Sequence, residues 1–219
     1  MKYFIDTEFR ESPNTIDLIS IGVVCEDGRE YYAVSKDFDI KAAWNSYDYT
    51  LQDFYGVHKV YWLRKNVLKA IYLELYDKYE EEVRIALYRN VYLKLLPKNF
   101  TYRNFKKLIN KFGKTNKQIA EEIKEFCYYS YSEAQIENAD IQFYGYYADY
   151  DHVCLSWLYG RMIDLPKGFP QYTKDIQQMI DDNNIDKELL LEEVPQVNCH
   201  NSLEDARWNM KLYNFITIK

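Results

Sequence analysis

Apolar positions form three short runs near the N-terminus, and most of the remaining chain has helical spacing. Residues 2–6, 18–25 and 30–35 alternate or run apolar, which predicts three β-strands. The Asp27-Gly28 pair between the second and third runs is typical of a tight hairpin turn, so these two strands should be antiparallel neighbours. Residues 10–17 are predicted to form the loop between the first two strands.

Apolar residues spaced three and four apart predict that the middle and the C-terminal part of the chain are largely helical. The predicted helices cover residues 58–92, 102–112, 115–128, 149–160, 172–183 and 202–216, and one further strand is predicted at 141–145. Gly113 favours the end of one helix, and Thr115 with Gln118 favours the start of the next. Strands followed by mixed helices and strands predict an α/β fold, with helices covering a mixed β-sheet.

The length and the composition narrow the class of protein. A chain of 219 residues is typical of one domain with room for a sizeable insertion. No apolar run approaches the ~20 residues that a membrane-spanning helix needs, and the N-terminus lacks a signal-peptide pattern. We therefore expect a cytoplasmic protein with no membrane association. The four cysteines form no Cys-x-x-Cys pair, which argues against a zinc site.

Charge is unevenly distributed along the chain. The net charge is −6, yet residues 83–120 contain ten Lys or Arg residues and no Asp or Glu. This basic stretch has two interpretations. It could be a solvated helical face, or it could be a surface that binds phosphate groups and lies apart from an acidic site.

Asp6 and Glu8 lie one residue apart at the predicted end of the first strand. Alternate residues of a strand share a face, so the two carboxylates should lie side by side. Carboxylates this close repel each other unless a cation neutralises them, and hard divalent metals prefer such oxygen ligands. A charged strand end that faces water is the alternative.

Two later segments place acids at the starts of predicted helices. Asp149 and Asp151 could each cap a helix, but Asp149 falls nearer the cap position, which leaves Asp151 freer to point back to the sheet. Ser202 is predicted to cap the last helix, and Asp205 in its first turn either supports that cap or faces the strand ends. His200 lies in the preceding loop, where its ordinary pKa near 6.5 suits a general base.

Together these residues resemble the DEDDh 3′–5′ exonucleases. Asp6 and Glu8 match the first motif of that superfamily, Asp151 matches the second, and His200 with Asp205 matches the third. Cys199 is not expected to pair with His200 as a nucleophile, because adjacent residues rarely face each other productively.

The pattern is most similar to the small mycobacterial-type 3′–5′ exoribonuclease family. The similarity rests on residues 3–9, 17–24 and 27–35 and on Tyr150-Asp151-His152-Val153, and it extends over residues 1–40 and about 115–217. One departure lies just before the second motif. Tyr146 and Tyr147 stand there, where many DEDDh enzymes have a polar pair.

The resemblance implies a single exonuclease domain over residues 1–219. Its fold would be an RNase H-like mixed β-sheet flanked by helices, with a helical insertion at about 47–112. It implies a metal-dependent 3′–5′ exoribonuclease that hydrolyses terminal phosphodiester bonds of RNA by a two-metal mechanism. Two Mg²⁺ or Mn²⁺ ions would be held by four acids, with His200 as general base. Those acids are Asp6, Glu8, Asp151 and Asp205.

Substrate contacts are predicted at Thr7, Phe9 and Tyr147, which flank the acids. Phe9 could stack on the terminal base or belong to the core, and Tyr147 has the same two interpretations. The expected partner is the 3′ end of single-stranded RNA. A 3′–5′ DNA exonuclease of the same chemistry and a non-catalytic RNase H-like nucleic-acid-binding module are the alternatives. The resemblance also implies that a homodimer can form.

Overall fold

The computed structural model describes residues 1–54, 56–93, 95–197 and 199–218. The chain divides into two compact units, one comprising residues 1–33 with 115–219 and the other comprising 34–114. Within the described ranges, no helix combines the length and the apolar character that crossing a membrane requires. Lys94, one cation of the predicted basic stretch, lies outside the described residues.

The first unit is an α/β structure built on a mixed five-stranded sheet. The strands of the chain are β1 (Lys2–Ser12), β2 (Thr15–Cys25), β3 (Glu30–Val34), β4 (Tyr49–Asp53), β5 (Gly56–Val60), β6 (Gln142–Gly145) and β7 (Lys174–Asp175). The sheet has the order β3-β2-β1-β6-β7, in which β1 is antiparallel to β2 and parallel to β6. The three N-terminal strands and the strand near residue 142 are confirmed, whereas the short β7 was not predicted.

The β1–β2 hairpin is longer than predicted. The predicted loop at 10–17 is wrong, because residues 10–12 pair with 15–17 and only a tight turn joins the strands. Asn14 occupies this turn with a φ of 64°, a left-handed conformation that Asn tolerates. Asp6 and Glu8 therefore lie within β1 and not at its end. The pairing register shifts directly after Glu8, which is the mark of a β-bulge.

Most of the predicted helices are present. The helices are α1 (Ile40–Asn45), α2 (Lys69–Tyr88), α3 (Tyr102–Phe112), α4 (Asn116–Tyr128), α5 (Glu133–Ile136), α6 (Asp149–Leu158), α7 (Ile176–Asp182), α8 (Lys187–Glu193) and α9 (Ser202–Ile218). Thr115 and Gln118 form the predicted capping box of α4. Residues 58–60, predicted as helix, belong to β5, and a π-helical segment at Arg64–Leu68 precedes α2. The short α8, capped by Asp186, was not predicted.

Side chains of β1 enter two cores on opposite faces of the sheet. Tyr3 and Ile5 are buried on the face covered by α4 and α6, whereas Phe4 packs on the other face with α7, α8 and α9. Because strand side chains alternate, Asp6 follows Phe4 toward α9, and Thr7 follows Ile5 toward α6. The alternation thus directs the acids to one helix and the intervening threonine to another.

The second unit contains the β4–β5 hairpin, α1, α2 and α3. The backbone N–H of Lys114 donates to the Val34 carbonyl at 2.9 Å, and that of Lys36 donates to the Lys114 carbonyl at 2.9 Å, so the chain enters and leaves this unit at neighbouring points. The predicted insertion at 47–112 falls within these bounds, and it includes a β-hairpin as well as helices. A single exonuclease domain that carries this insertion stays a prediction.

Candidate metal-binding active site

Three carboxylates from β1 and α9 converge at one place. Asp6 and Glu8 project from β1, and Asp205 lies in the first turn of α9. One carboxylate oxygen of each lies within 4.8 Å of the others. Asp205 is buried, and the two strand acids are partly buried. Oxygen ligands at this spacing are those that Mg²⁺ and Mn²⁺ take in proteins.

A glycine allows α9 to begin beside the acids. Gly22 lies directly opposite Asp6 in the β1–β2 pairing. A Cβ atom at Gly22 would lie 2.5 Å from Cα of Leu203 and would also clash with the Ser202 carbonyl. The start of α9 therefore packs against the backbone of β2, and only glycine leaves enough space for this contact.

The start of α9 is capped differently from the prediction. The Asn201 side-chain oxygen accepts hydrogen bonds from the backbone N–H groups of Leu203 at 3.1 Å and Glu204 at 3.2 Å. Ser202, predicted as the cap, is buried and donates its hydroxyl to Ser20 of β2 at 3.1 Å. Because Ser202 packs against the sheet, its hydroxyl does not cap α9. The side chain of Asn201 accepts the hydrogen bonds of the first backbone N–H groups instead.

Asp151, at the start of α6, is not one of these three converging carboxylates, but its charge acts on Asp6 and Glu8. Its side chain is buried, and its Oδ1 atom accepts hydrogen bonds from the backbone N–H of Thr7 at 2.9 Å and from the Thr7 hydroxyl at 2.5 Å. Asp149, two residues earlier, is exposed. Asp151 therefore turns back to the sheet while Asp149 faces water.

Asp175 is an additional acid that the sequence analysis missed. Its Oδ1 atom caps α7 by accepting from the backbone N–H of Gln177 at 2.7 Å, and its Oδ2 atom accepts from that of Ala148 at 2.8 Å. Its charge also contributes to raising the pKa of Asp151. An Asp before an apolar run is a recognisable cap signal, but nothing local indicates that it lies near another helix start.

Two amide side chains orient α9, and neither carries a signal in the sequence. Gln196 donates from Nε2 to Oδ1 of Asp205 at 2.7 Å, while the backbone N–H of His200 donates to Oδ2 at 2.9 Å. Asn209, buried on α9, donates from Nδ2 to the Ile5 carbonyl at 2.9 Å, one residue before the strand acids. These bonds hold the helix acid in place relative to β1.

Burial raises the pKa values of all four predicted metal ligands, and repulsion from neighbouring acids adds to this at Asp6, Glu8 and Asp151. Burial raises the pKa of Asp6 well above its ordinary value, and the charges of Asp151, Asp205 and Glu8 raise it further. Burial and the neighbouring acids raise the pKa of Glu8 to about 8. Burial raises the pKa of Asp151 to about 7, although the hydrogen bonds from Thr7 oppose this change. Burial also raises the pKa of Asp205. A bound cation would remove this repulsion, so the donor set fits a divalent metal.

His200 lies five residues before Asp205, and its charge acts to lower the pKa of that carboxyl. Its backbone φ is 69°, in the left-handed region that non-glycine residues rarely adopt. Strained backbone of this kind is concentrated at functional sites.

The three predicted substrate contacts lie in different surroundings. The Thr7 hydroxyl is bonded to Asp151, and the Phe9 ring packs edge-on against Tyr150 with centroids 5.5 Å apart. Tyr147 is 61% exposed, and its hydroxyl accepts a hydrogen bond from Nζ of Lys187 at 3.2 Å. Of the three side chains, Tyr147 is the most open to a ligand. Substrate binding by each of them stays a prediction.

No protein-family model matches the chain. Two proteins from two strains of Mycobacterium tuberculosis, each named as a 3′–5′ exoribonuclease, are 30% identical to it over 218 residues. The alignment covers 99% of this chain and 94% of each relative. The alignment therefore spans both units and includes the positions of the acidic site. The chain belongs to the family of these mycobacterial 3′–5′ exoribonucleases.

Proposed function

We propose that the protein is a metal-dependent 3′–5′ exoribonuclease that hydrolyses the terminal phosphodiester bond at the 3′ end of single-stranded RNA. The observation that carries the proposal is the convergence of Asp6, Glu8 and Asp205 within 4.8 Å. Family membership supports this class of reaction. An RNase H-like fold of the DEDDh type is part of the proposal, and the mixed five-stranded sheet flanked by helices is compatible with it.

Asp6, Glu8, Asp151 and Asp205 would hold two Mg²⁺ or Mn²⁺ ions. Bound there, these ions would neutralise the carboxylates, polarise the phosphodiester and lower the pKa of the attacking water. The protein itself supplies rigid ligands. Thr7 holds one oxygen of Asp151, and hydrogen bonds from Gln196 and from the His200 backbone hold both oxygens of Asp205.

His200 would accept the proton of the attacking water on a ring nitrogen. An imidazole is the side chain that most often serves as a general base in proteins. Phe9 and Tyr147 would contact the terminal nucleotide through their rings, a mode of binding that tolerates any base. A non-catalytic module would be expected to lack one of the four acids or the histidine, and all five are present. A homodimer and a cytoplasmic location also stay predictions.

The test is a time course with a 20-nucleotide RNA labelled at its 5′ end, beside a DNA of the same sequence. With Mn²⁺ we expect a ladder of shortened RNA that keeps the 5′ label, and with EDTA no shortening. A faster reaction on DNA would replace the RNA assignment with the DNA alternative. Shortening that persists in EDTA would contradict the metal mechanism.

Two variants make the test specific to the site. Asp6→Asn should reduce the rate by more than about 100-fold. Removing a residue that supports a metal ligand usually costs about 10- to 100-fold in activity, and removing a direct ligand should cost more. Asp149→Asn removes an exposed acid near the same site and should leave the rate within about twofold. Equal effects of both variants would argue against the assigned ligands.

A further inference from the structure

The two units carry opposite net charges. Residues 34–114 contain 16 Lys or Arg and 9 Asp or Glu, a formal charge of +7. The remainder of the chain contains 12 Lys or Arg and 25 Asp or Glu, a formal charge of −13. The acidic unit contains the proposed metal site, whereas the basic unit offers the charge that a polyanion requires.

A groove of about 700 Å³ lies within the basic unit. Its apolar walls include Leu95, Leu96 and Leu108, and the Tyr79 ring lies among them. No Asp or Glu is among its described lining residues. The groove therefore combines apolar and aromatic surface with described lining residues that include no acid.

Three cations of α3 line this groove at four-residue intervals. Arg103, Lys107 and Lys111 lie on one helix face, with steps of about 6 Å along the axis. Lys111 is ion-paired with Glu82 at 2.6 Å. Over the ranges that the structure covers, Arg103 and Lys107 are exposed and have no carboxylate partner within ion-pair distance. Two positive charges in the groove are thus available to a ligand.

We infer that this groove binds a segment of single-stranded RNA outside the four-acid site, an inference that rests on the proposed function. Arg103 and Lys107 bind backbone phosphates, and Tyr79 with the leucine walls packs against unpaired bases. Single-strand sites combine cations that follow the backbone with rings that stack on bases. A duplex keeps its base faces covered, so the apolar walls favour a single strand.

Binding tests the groove separately from catalysis. A 20-nucleotide single-stranded RNA labelled with fluorescein is titrated in EDTA with the full-length protein carrying Asp6→Asn. The anisotropy of the fluorescein gives the Kd. Arg103→Gln combined with Lys107→Gln should raise the Kd about tenfold. Lys107→Gln alone should raise it about threefold and reduce the slope of log K against log salt by about 0.7, the value for one phosphate contact.

Lys106→Gln is the matched control. Lys106 is the neighbouring residue on α3, is exposed and carries the same charge, but it does not line the groove. The Kd of the Lys106→Gln variant for the RNA should stay within about 1.5-fold of that of the parent protein. Equal Kd values for Lys106→Gln and Lys107→Gln would overturn the inference, because they would show dependence on net charge alone.

A hydrolysis assay with protein that retains Asp6 completes the test. Lys107→Gln should lower kcat/KM on the 20-nucleotide RNA more than on a trinucleotide, because a trinucleotide leaves only two nucleotides besides the terminal one for a second site to bind. An equal loss on both substrates would overturn the inference. Parent protein that shortens no RNA would overturn the proposed function instead, and the anisotropy comparison would still decide whether the groove binds RNA.

Discussion

Thr7 of β1 donates two hydrogen bonds to a single oxygen of Asp151, one from its backbone N–H and one from its hydroxyl. The two residues are 144 positions apart, so this contact fixes the start of α6 against the strand that carries Asp6 and Glu8. Both bonds reach Oδ1. Neither bond occupies Oδ2, the oxygen that the proposed metal site would use.

Thr7→Val should reduce hydrolysis of RNA by about 10- to 100-fold, the usual effect of removing a residue that orients a metal ligand. Loss of the hydroxyl removes a bond that favours the charged carboxylate, so the pKa of Asp151 should rise and the acidic limb of the pH–rate profile should move to higher pH. Thr7→Ser should restore the profile. If the acidic limb of the pH–rate profile does not move in Thr7→Val, the Thr7 hydroxyl does not lower the pKa of Asp151.

Without metal ions the protein should lose stability as pH rises from about 5 to 8. The folded-state pKa values of Glu8, about 8, and Asp151, about 7, exceed their ordinary values. The folded state therefore binds more protons than the unfolded state in this range. The stability that depends on protonating these two acids is fully present below about pH 4. It is lost as pH rises through their folded-state pKa values.

Thermal unfolding in EDTA at pH 5, 6, 7 and 8 measures this effect, and we expect Tm to fall by about 5 °C or more. Mn²⁺ should raise Tm most at pH 8, where the acids repel each other most strongly. Asp6→Asn should flatten the dependence on pH in EDTA and weaken the effect of Mn²⁺. A Tm in EDTA that does not change with pH would contradict the repulsion argument.

His200→Asn should lower kcat by about 10²- to 10⁴-fold, the range for loss of a general base, while Mn²⁺ still raises Tm. Asn tolerates the positive φ at this position, and the backbone N–H that donates to Asp205 is unchanged. Cys199→Ser at the neighbouring exposed position is the control and should keep kcat within about twofold. Near-normal kcat in His200→Asn would exclude His200 as the base.

Gly22→Ala should lower the free energy of unfolding by about 1–3 kcal/mol and weaken Mn²⁺ binding. The added Cβ would meet the backbone of α9 at Leu203, so the helix start that carries Asp205 must move. Urea unfolding and titration with Mn²⁺ measure the two effects. Gly28→Asn, in an open turn with a φ of 91°, should cost under about 1 kcal/mol and leave Mn²⁺ binding unchanged.

Local signals in the sequence predicted much of the fold. The three N-terminal strands, the capping box of α4 and the bounds of α3 depend on residues close together in the chain, and all were confirmed. The extension of the β1–β2 hairpin, the short β7 and α8 were missed. Pairing between strands stabilises the first two, and polar neighbours obscure the short apolar run of α8.

The sequence by itself determined which side chains can bind a metal, because residue type and strand alternation are local properties. Asp6 and Glu8 share a face of β1 for that reason alone. Only the tertiary structure decided which other acids reach them. Asp205 lies beside them because Gly22 leaves space for α9, and Thr7 holds Asp151 from a strand that is far away in the chain. Burial among like charges then raises the pKa values of these acids, and burial arises only when distant segments pack together.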